Sequence, residues 1–246
     1  MNKIIVFFLF IFSVQNFYSQ SFNLNEDYLI DRFRDFQILN KIEIENSLNQ
    51  RPILSTNISL NNIFKNNKSY GKTILNLFNN NIQLQLLPIN YNIEFNSKFP
   101  LKNNNGSMIN NRGYQHIISP GIFLKAGPLH IQIKPEHHFS ENRDFQGFWD
   151  DHIMSLWVKR YGLWNFIDLP EKHGEKRHNN LLLGQSSVKL KFKKLSIGIS
   201  NENIWWGPSR KNSIMMSNNA RAFKHISFNS DFPIKSFIGN FVFQFI

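Results

Sequence analysis

No cysteine occurs in the 246 residues, which removes disulfide staples, thiolate metal sites and a cysteine nucleophile. Long hydrophobic runs are missing too. The most apolar stretch, Ile4 to Val14, has about 11 residues against the roughly 20 that a spanning helix needs. Acidic side chains are scarce, with 17 Asp and Glu against 28 Lys and Arg and a formal charge of +11. The sequence also lacks a nucleophile elbow, a phosphate-binding glycine loop and a zinc motif, so the familiar signatures of hydrolase, nucleotide and zinc chemistry are absent.

What the chain has begins with an export signal. Lys3 gives a short positive region, Ile4 to Val14 an apolar core, and Tyr18-Ser19-Gln20 a cleavage site, so residues 1–20 read as a secretory signal peptide. That segment contains one basic and no acidic residue, so the mature balance is 27 minus 17, or +10. An exported basic chain rarely meets nucleic acid. An anionic polysaccharide or a lipopolysaccharide phosphate is a fitting partner, and many of the lysines can equally be solvated turn residues. The 25 Phe beside 5 Trp and 6 Tyr form a load of aromatics that a lipid-facing wall can accommodate without a buried core.

Period two dominates the pattern. Residues 24–48 space Tyr28, Leu29, Phe33, Phe36 and Leu39 as a short amphipathic helix does, and Arg51-Pro52 marks its handover to strands. Ile82, Leu84 and Leu86 then alternate with Asn81, Gln83 and Gln85, and the alternation resumes beyond Pro88. Ala126-Gly127-Pro128 joins a second pair of strands, and Lys193-Lys194 turns Val188–Phe192 back into Leu195–Ile199. Short turns alternate with long polar connections at 102–112 and 165–180. The fold class this predicts is all-β: an antiparallel outer-membrane β-barrel, partial over 51–246, with a short helical periplasmic segment at 21–50. A soluble β-sandwich would show the same alternation.

The most specific stretch is Asn201–Phe223, with its adjacent tryptophans, Gly-Pro turn, basic pair and paired asparagines. It resembles the ENxWWGPG and SNNAPGF signature of the Wzi capsule-assembly family of outer-membrane barrels. Further likenesses follow in order: Gln50-Arg51-Pro52-Ile53, the loop 103–113, Gly127-Pro128-Leu129 through Pro135-Glu136, residues 167–174, and Leu183-Gly184-Gln185-Ser186-Ser187. The chain departs from the pattern at Ser209 and at Arg221-Ala222, where the family carries glycine and Pro-Gly. The resemblance implies a non-catalytic, lectin-like protein of the Gram-negative outer membrane that assembles and attaches capsular polysaccharide. It also implies a longer chain, of which these residues read as an N-terminal half left by truncation, frameshift or a split gene, with a second polypeptide or copy completing the barrel.

Candidate binding residues are Trp205 and Trp206 for stacking on sugar rings, Arg210, Lys211, Arg221 and Lys224 for uronate or phosphate, and Asn218 and Asn219 for hydroxyls. The tryptophans could instead serve an aromatic girdle or fill the interior, and the asparagines could hold a turn. No cofactor and no metal is expected, because the adjacent His137 and His138 point to opposite faces of a strand. Alternatives are an exported carbohydrate-processing enzyme using Glu141, Asp144, Asp150 and Asp151 beside Phe145, Phe148 and Trp149, and a porin-like channel.

Overall fold

The computed structural model describes residues 21–22, 31, 34–35, 38–39, 50–54, 72–100, 104–147, 151–164, 171–209, 211–213 and 215–246. The expected signal peptide lies outside them, as does most of the expected N-terminal helix; of that segment Asp31, Arg34, Asp35 and Ile38 are helical. Short strands flank these residues: β1 (Ser21–Phe22) before them, and β2 (Gln50–Arg51) and β3 (Ile53–Leu54) after them. The main strands are β4 (Lys72–Leu77), β5 (Ile82–Asn96), β6 (Gly113–Ala126), β7 (Leu129–Ile133), β8 (Glu136–Ser140), β9 (His178–Leu182), β10 (Ser187–Phe192) and β11 (Leu195–Ser200). After them come β12 (Trp205–Trp206), β13 (His225–Ser230), β14 (Ile234–Ser236), β15 (Gly239–Phe241) and β16 (Gln244–Phe245). A short helix, α1 (Met154–Lys159), continued by a π-helical turn (Arg160–Trp164), lies in the connection between β8 and β9.

Ten strands form one antiparallel sheet in the order β16-β13-β11-β10-β7-β6-β5-β4, with β8 pairing both β6 and β9. Strands β7 and β8 are two halves of one line broken at Lys134-Pro135, since both pair with β6. The chain therefore runs as a meander. Tight turns at 78–81, 127–128 and 193–194 close one end, where Asn79, Asn80 and Lys193 take left-handed torsions that asparagine tolerates well. Long connections at 97–112, 141–177 and 201–224 gather at the other.

This sheet corrects the expected fold class. It is open: β4 and β16 end the path and do not pair with each other, so neither a closed barrel nor a barrel wall forms. Closure needs strand number, tilt and stagger to agree. Here the last link, β13 to β16, consists of Phe228↔Phe245 and Asn229↔Gln244 alone, too short to carry the sheet round, while β14 and β15 pair apart as their own hairpin. Among the described residues no helix is long and apolar enough to cross a membrane.

The alternation read from the sequence is present, with its polar side inward. Strand β10 buries Ser187, Lys189 and Lys191 and exposes Val188, Leu190 and Phe192; β5 buries Gln83 and Gln85 and exposes Leu86. Among the described residues the buried hydrophobic side chains are Leu87, Met108, Ile117, Phe123, Ile204 and Trp205, against 27 buried polar or charged ones. The buried face of the sheet is thus a hydrogen-bonded core, and the exposed face is the apolar one.

Two prolines sit where the central ladder lapses. The register of β5 on β6 shifts between Leu87 and Asn90, and the paired residues resume at Leu87↔Gly121 and Asn90↔Ser119. Pro88 and Pro120 both fall in that gap, where neither is asked for the amide hydrogen it lacks.

The break between β9 and β10 depends on Gly184, whose φ is +57°. A Cβ there would fall against the Lys134 carbonyl oxygen and 2.8 Å from the Glu136 amide nitrogen, and the neighbouring Gln185 amide donates to that same carbonyl at 2.9 Å. Gly184→Ala is expected to lower stability by about 2 kcal/mol or more, from torsional strain and backbone crowding together. Urea denaturation of wild type and variant measures it.

Candidate functional site

The connection 201–224 leaves β11 and turns onto the polar face of the sheet, where Glu202 meets the buried Lys189. The Lys189 ammonium is 2.6 Å from Glu202 Oε2, with both side chains buried, and Ser200 Oγ donates to the same oxygen at 3.0 Å. Gln132 Nε2 donates to Glu202 Oε1 at 3.3 Å and to the Gln185 carbonyl at 3.0 Å. Gln185 then links onward: its Nε2 donates to Glu136 Oε1 at 3.0 Å and to Asn203 Oδ1 at 2.8 Å, and its Oε1 accepts the Asn203 amide at 2.9 Å. Ser107 Oγ reaches Glu136 Oε2 at 2.6 Å. Three sequence stretches far apart, 134–136, 184–187 and 201–203, are thereby tied into one polar knot.

Nearer the tight turns, Lys191 pairs with buried Asp231, whose Oδ1 accepts Ser196 Oγ at 2.5 Å. Burial pushes the Lys191 ammonium below the usual lysine range, against the pull of Asp231.

The predicted binding residues divide by position. Trp205 is buried, its indole donating to the Ser209 carbonyl at 3.0 Å, while half-buried Trp206 donates to Gln244 Oε1 at 2.8 Å. Asn218 is a brace: Gly106 N–H donates to its carbonyl at 2.7 Å and its Nδ2 donates to the Asn104 carbonyl at 3.1 Å. Asn219, Lys211, Arg221 and Lys224 are exposed, and Arg210 lies outside the described residues. Asn203 Nδ2 holds the Ala220 carbonyl at 2.9 Å, which sets Arg221 beside the loop 106–110.

That placement creates a cavity of about 400 Å³, lined by the loop 106–110, His138, Glu171, His173, His178, Asn180, Leu182 and residues 220–221. Sequence reading did not bring these groups together. His137 and His138 do take opposite sides of β8 as strand geometry requires, His138 buried and His137 bonding Asn179 Oδ1 at 2.7 Å; the pairing Ser140↔His178 carries His178 toward His138. The rings of His173 and His178 lie 4.8 Å apart, and His178 Nε2 bonds the His173 carbonyl at 2.9 Å. No group of His, Asp and Glu among the described residues is arranged to hold a metal ion.

The acidic cluster takes another form. Asp150, Phe148 and Trp149 lie outside the described residues. Glu141 is held below the usual carboxylate range by Arg143, whose Nε is 2.9 Å away, and by the Tyr114 N–H at 2.7 Å; Asp144 is held low by its ion pair with Lys172. Both are ion-paired carboxylates, without the raised pKa of a glycosidase acid.

Among known families, the model described as Capsule assembly protein Wzi matches residues 101–246. No curated protein and no solved structure matches the chain.

Removing Glu202 would leave Lys189 buried without its carboxylate. Glu202→Ala is expected to cost about 3–5 kcal/mol, and Lys189→Met combined with Glu202→Leu to recover much of that loss; chemical denaturation of the single and double variants checks both. A second expectation concerns pH. His138 is pushed down to about 4 by burial and by His178, His116, His137 and His173. The unfolded chain therefore binds a proton first as pH falls below about 6.5, and up to about 3 kcal/mol of stability should be lost between there and pH 4. Denaturation midpoints across that range should flatten in His138→Gln.

Proposed function

The chain belongs to the capsule assembly protein Wzi family, matched over 146 of its 246 residues (101 to 246), and from that membership we propose that it takes part in assembling surface polysaccharide by binding the polymer without transforming it. Membership is consistent with polysaccharide-related partners and with a Gram-negative outer-membrane location. The finer reading is a lectin-like surface at the long-connection end, reached after export by the segment 1–20, with anionic capsular polymer as its partner. The barrel that the alternation led us to expect, and a mechanism built on it, are set aside because the sheet is open.

What supports binding is the placement of the exposed cations. Lys211, Arg221 and Lys224 share one connection at the end where 97–112 and 141–177 also gather, and exposed cations exchange partners without a large desolvation cost. The exposed apolar face of the sheet, with Val188, Leu190, Phe192, Ile197 and Ile199 among its side chains, supports a place at a lipid boundary, since a contiguous apolar face is seldom left to water.

The test is retention of an anionic polysaccharide by the full chain. Replacing Arg210, Lys211, Arg221 and Lys224 together by Gln is expected to weaken binding at least about ten-fold at low salt and to abolish its salt dependence. Unchanged retention at an unchanged denaturation midpoint would sink the reading.

A further inference from the structure

We propose that the cavity bounded by the loop 106–110, His138 and Arg221 is a subsite for one carboxylate-bearing sugar ring, with Arg221 anchoring the carboxylate and Asn110 and Asn180 binding hydroxyls; this rests on the polysaccharide-binding reading above. Its volume of about 400 Å³ falls within the roughly 300–1,000 Å³ of small-molecule pockets. Three of the lining side chains, Asn110, Asn180 and Arg221, make no hydrogen bond among the described residues. Of their neighbours, Ser107 is engaged with Glu136, His178 with the His173 carbonyl and Glu171 with Arg160, while the His173 ring packs against His178 at 4.8 Å. The unused polar capacity of the wall thus includes two amides and one guanidinium that come from three different parts of the chain, with the His173 ring beside them.

The chemistry of that set selects the ligand. Glu171 is compensated by Arg160, so Arg221 supplies the uncompensated charge and the cavity favours a monoanion. A guanidinium fork matches a carboxylate with two parallel N–H donors. A carboxamide both donates and accepts, as a hydroxyl does, so Asn110 and Asn180 suit a ring bearing several hydroxyls. Met108, Ile109 and Leu182 offer apolar wall for the C–H face of the ring. Phosphate would also satisfy the guanidinium, but it leaves both amides and the apolar wall unused.

Titration of the full chain at low salt with glucuronate, glucose and inorganic phosphate tests the assignment. Glucuronate is expected to bind at least about ten-fold tighter than glucose, a difference of about 1.4 kcal/mol, and tighter than phosphate. Arg221→Gln should erase that preference while leaving glucose binding and the denaturation midpoint unchanged, because the side chain has no structural bond to lose. Asn110→Ala should weaken both sugars, and Lys72→Gln, on β4, should behave as wild type. Occupancy should also shift the ring resonances of His173 and His178. Equal affinity for glucuronate and glucose, tighter binding of phosphate, a preference that survives Arg221→Gln, or no binding of any probe would overturn the subsite. If polymer retention by the wild type persists in those cases, the subsite alone falls; if polymer retention is also absent, the wider reading falls with it.

Discussion

Buried lysines on the polar face of the sheet need counter-charges, and the position of nearly everything at the long-connection end follows from how they are supplied. An uncompensated ammonium in such a place costs several kcal/mol, so Glu202 is held against Lys189 and the backbone that carries it cannot lift away. Asn203, the next residue, is therefore delivered to Gln185, and its own amide fixes Ala220. Through Asn218 the same connection then clamps Gly106 and Asn104. The exposed cations and the cavity stand at the far end of this chain of contacts, positioned by polar groups rather than by a hydrophobic core.

Much of the local structure was legible. Period-two runs located β5, β6, β10 and β11, and the turns at 127–128 and 193–194 were marked by Gly-Pro and Lys-Lys. What could not be read was how strands far along the chain end. Two residue pairs between β13 and β16 decide that the sheet stays open, and alternation carries no signal about the length of a last ladder. The cavity was illegible for a related reason: His138 and His178 become neighbours through strand pairing, and Arg221 joins them through an asparagine contact with residue 220. Glu202 stood 13 residues from Lys189, with nothing in the sequence to mark the return.

The two departures from the pattern that the sequence resembles acquire physical sense. Ser209 stands where that pattern has glycine, and its hydroxyl oxygen accepts the amides of Lys211 and Asn212 at 3.3 and 3.2 Å, so a side chain organises a turn that flexible backbone would otherwise make. Arg221 stands where the pattern has proline. An arginine there leaves the backbone contact at Ala220 intact and adds a cation at the mouth of the cavity, a change of chemistry without a change of frame.

The paired prolines in the middle of the sheet carry information that polarity cannot. Sliding β5 by two residues against β6 keeps every side chain on its own face, so the alternation of Leu and Gln is indifferent to such a slip. Pro88 and Pro120 are not indifferent, because only the observed alignment drops both into the same lapse of the ladder; a two-residue slip would put a proline where a neighbour expects a donor. The prolines thus act as a vernier. They single out one alignment from a set that burial alone ranks as equal, and they do so at the longest strand pair, from which the offsets of all the others are counted.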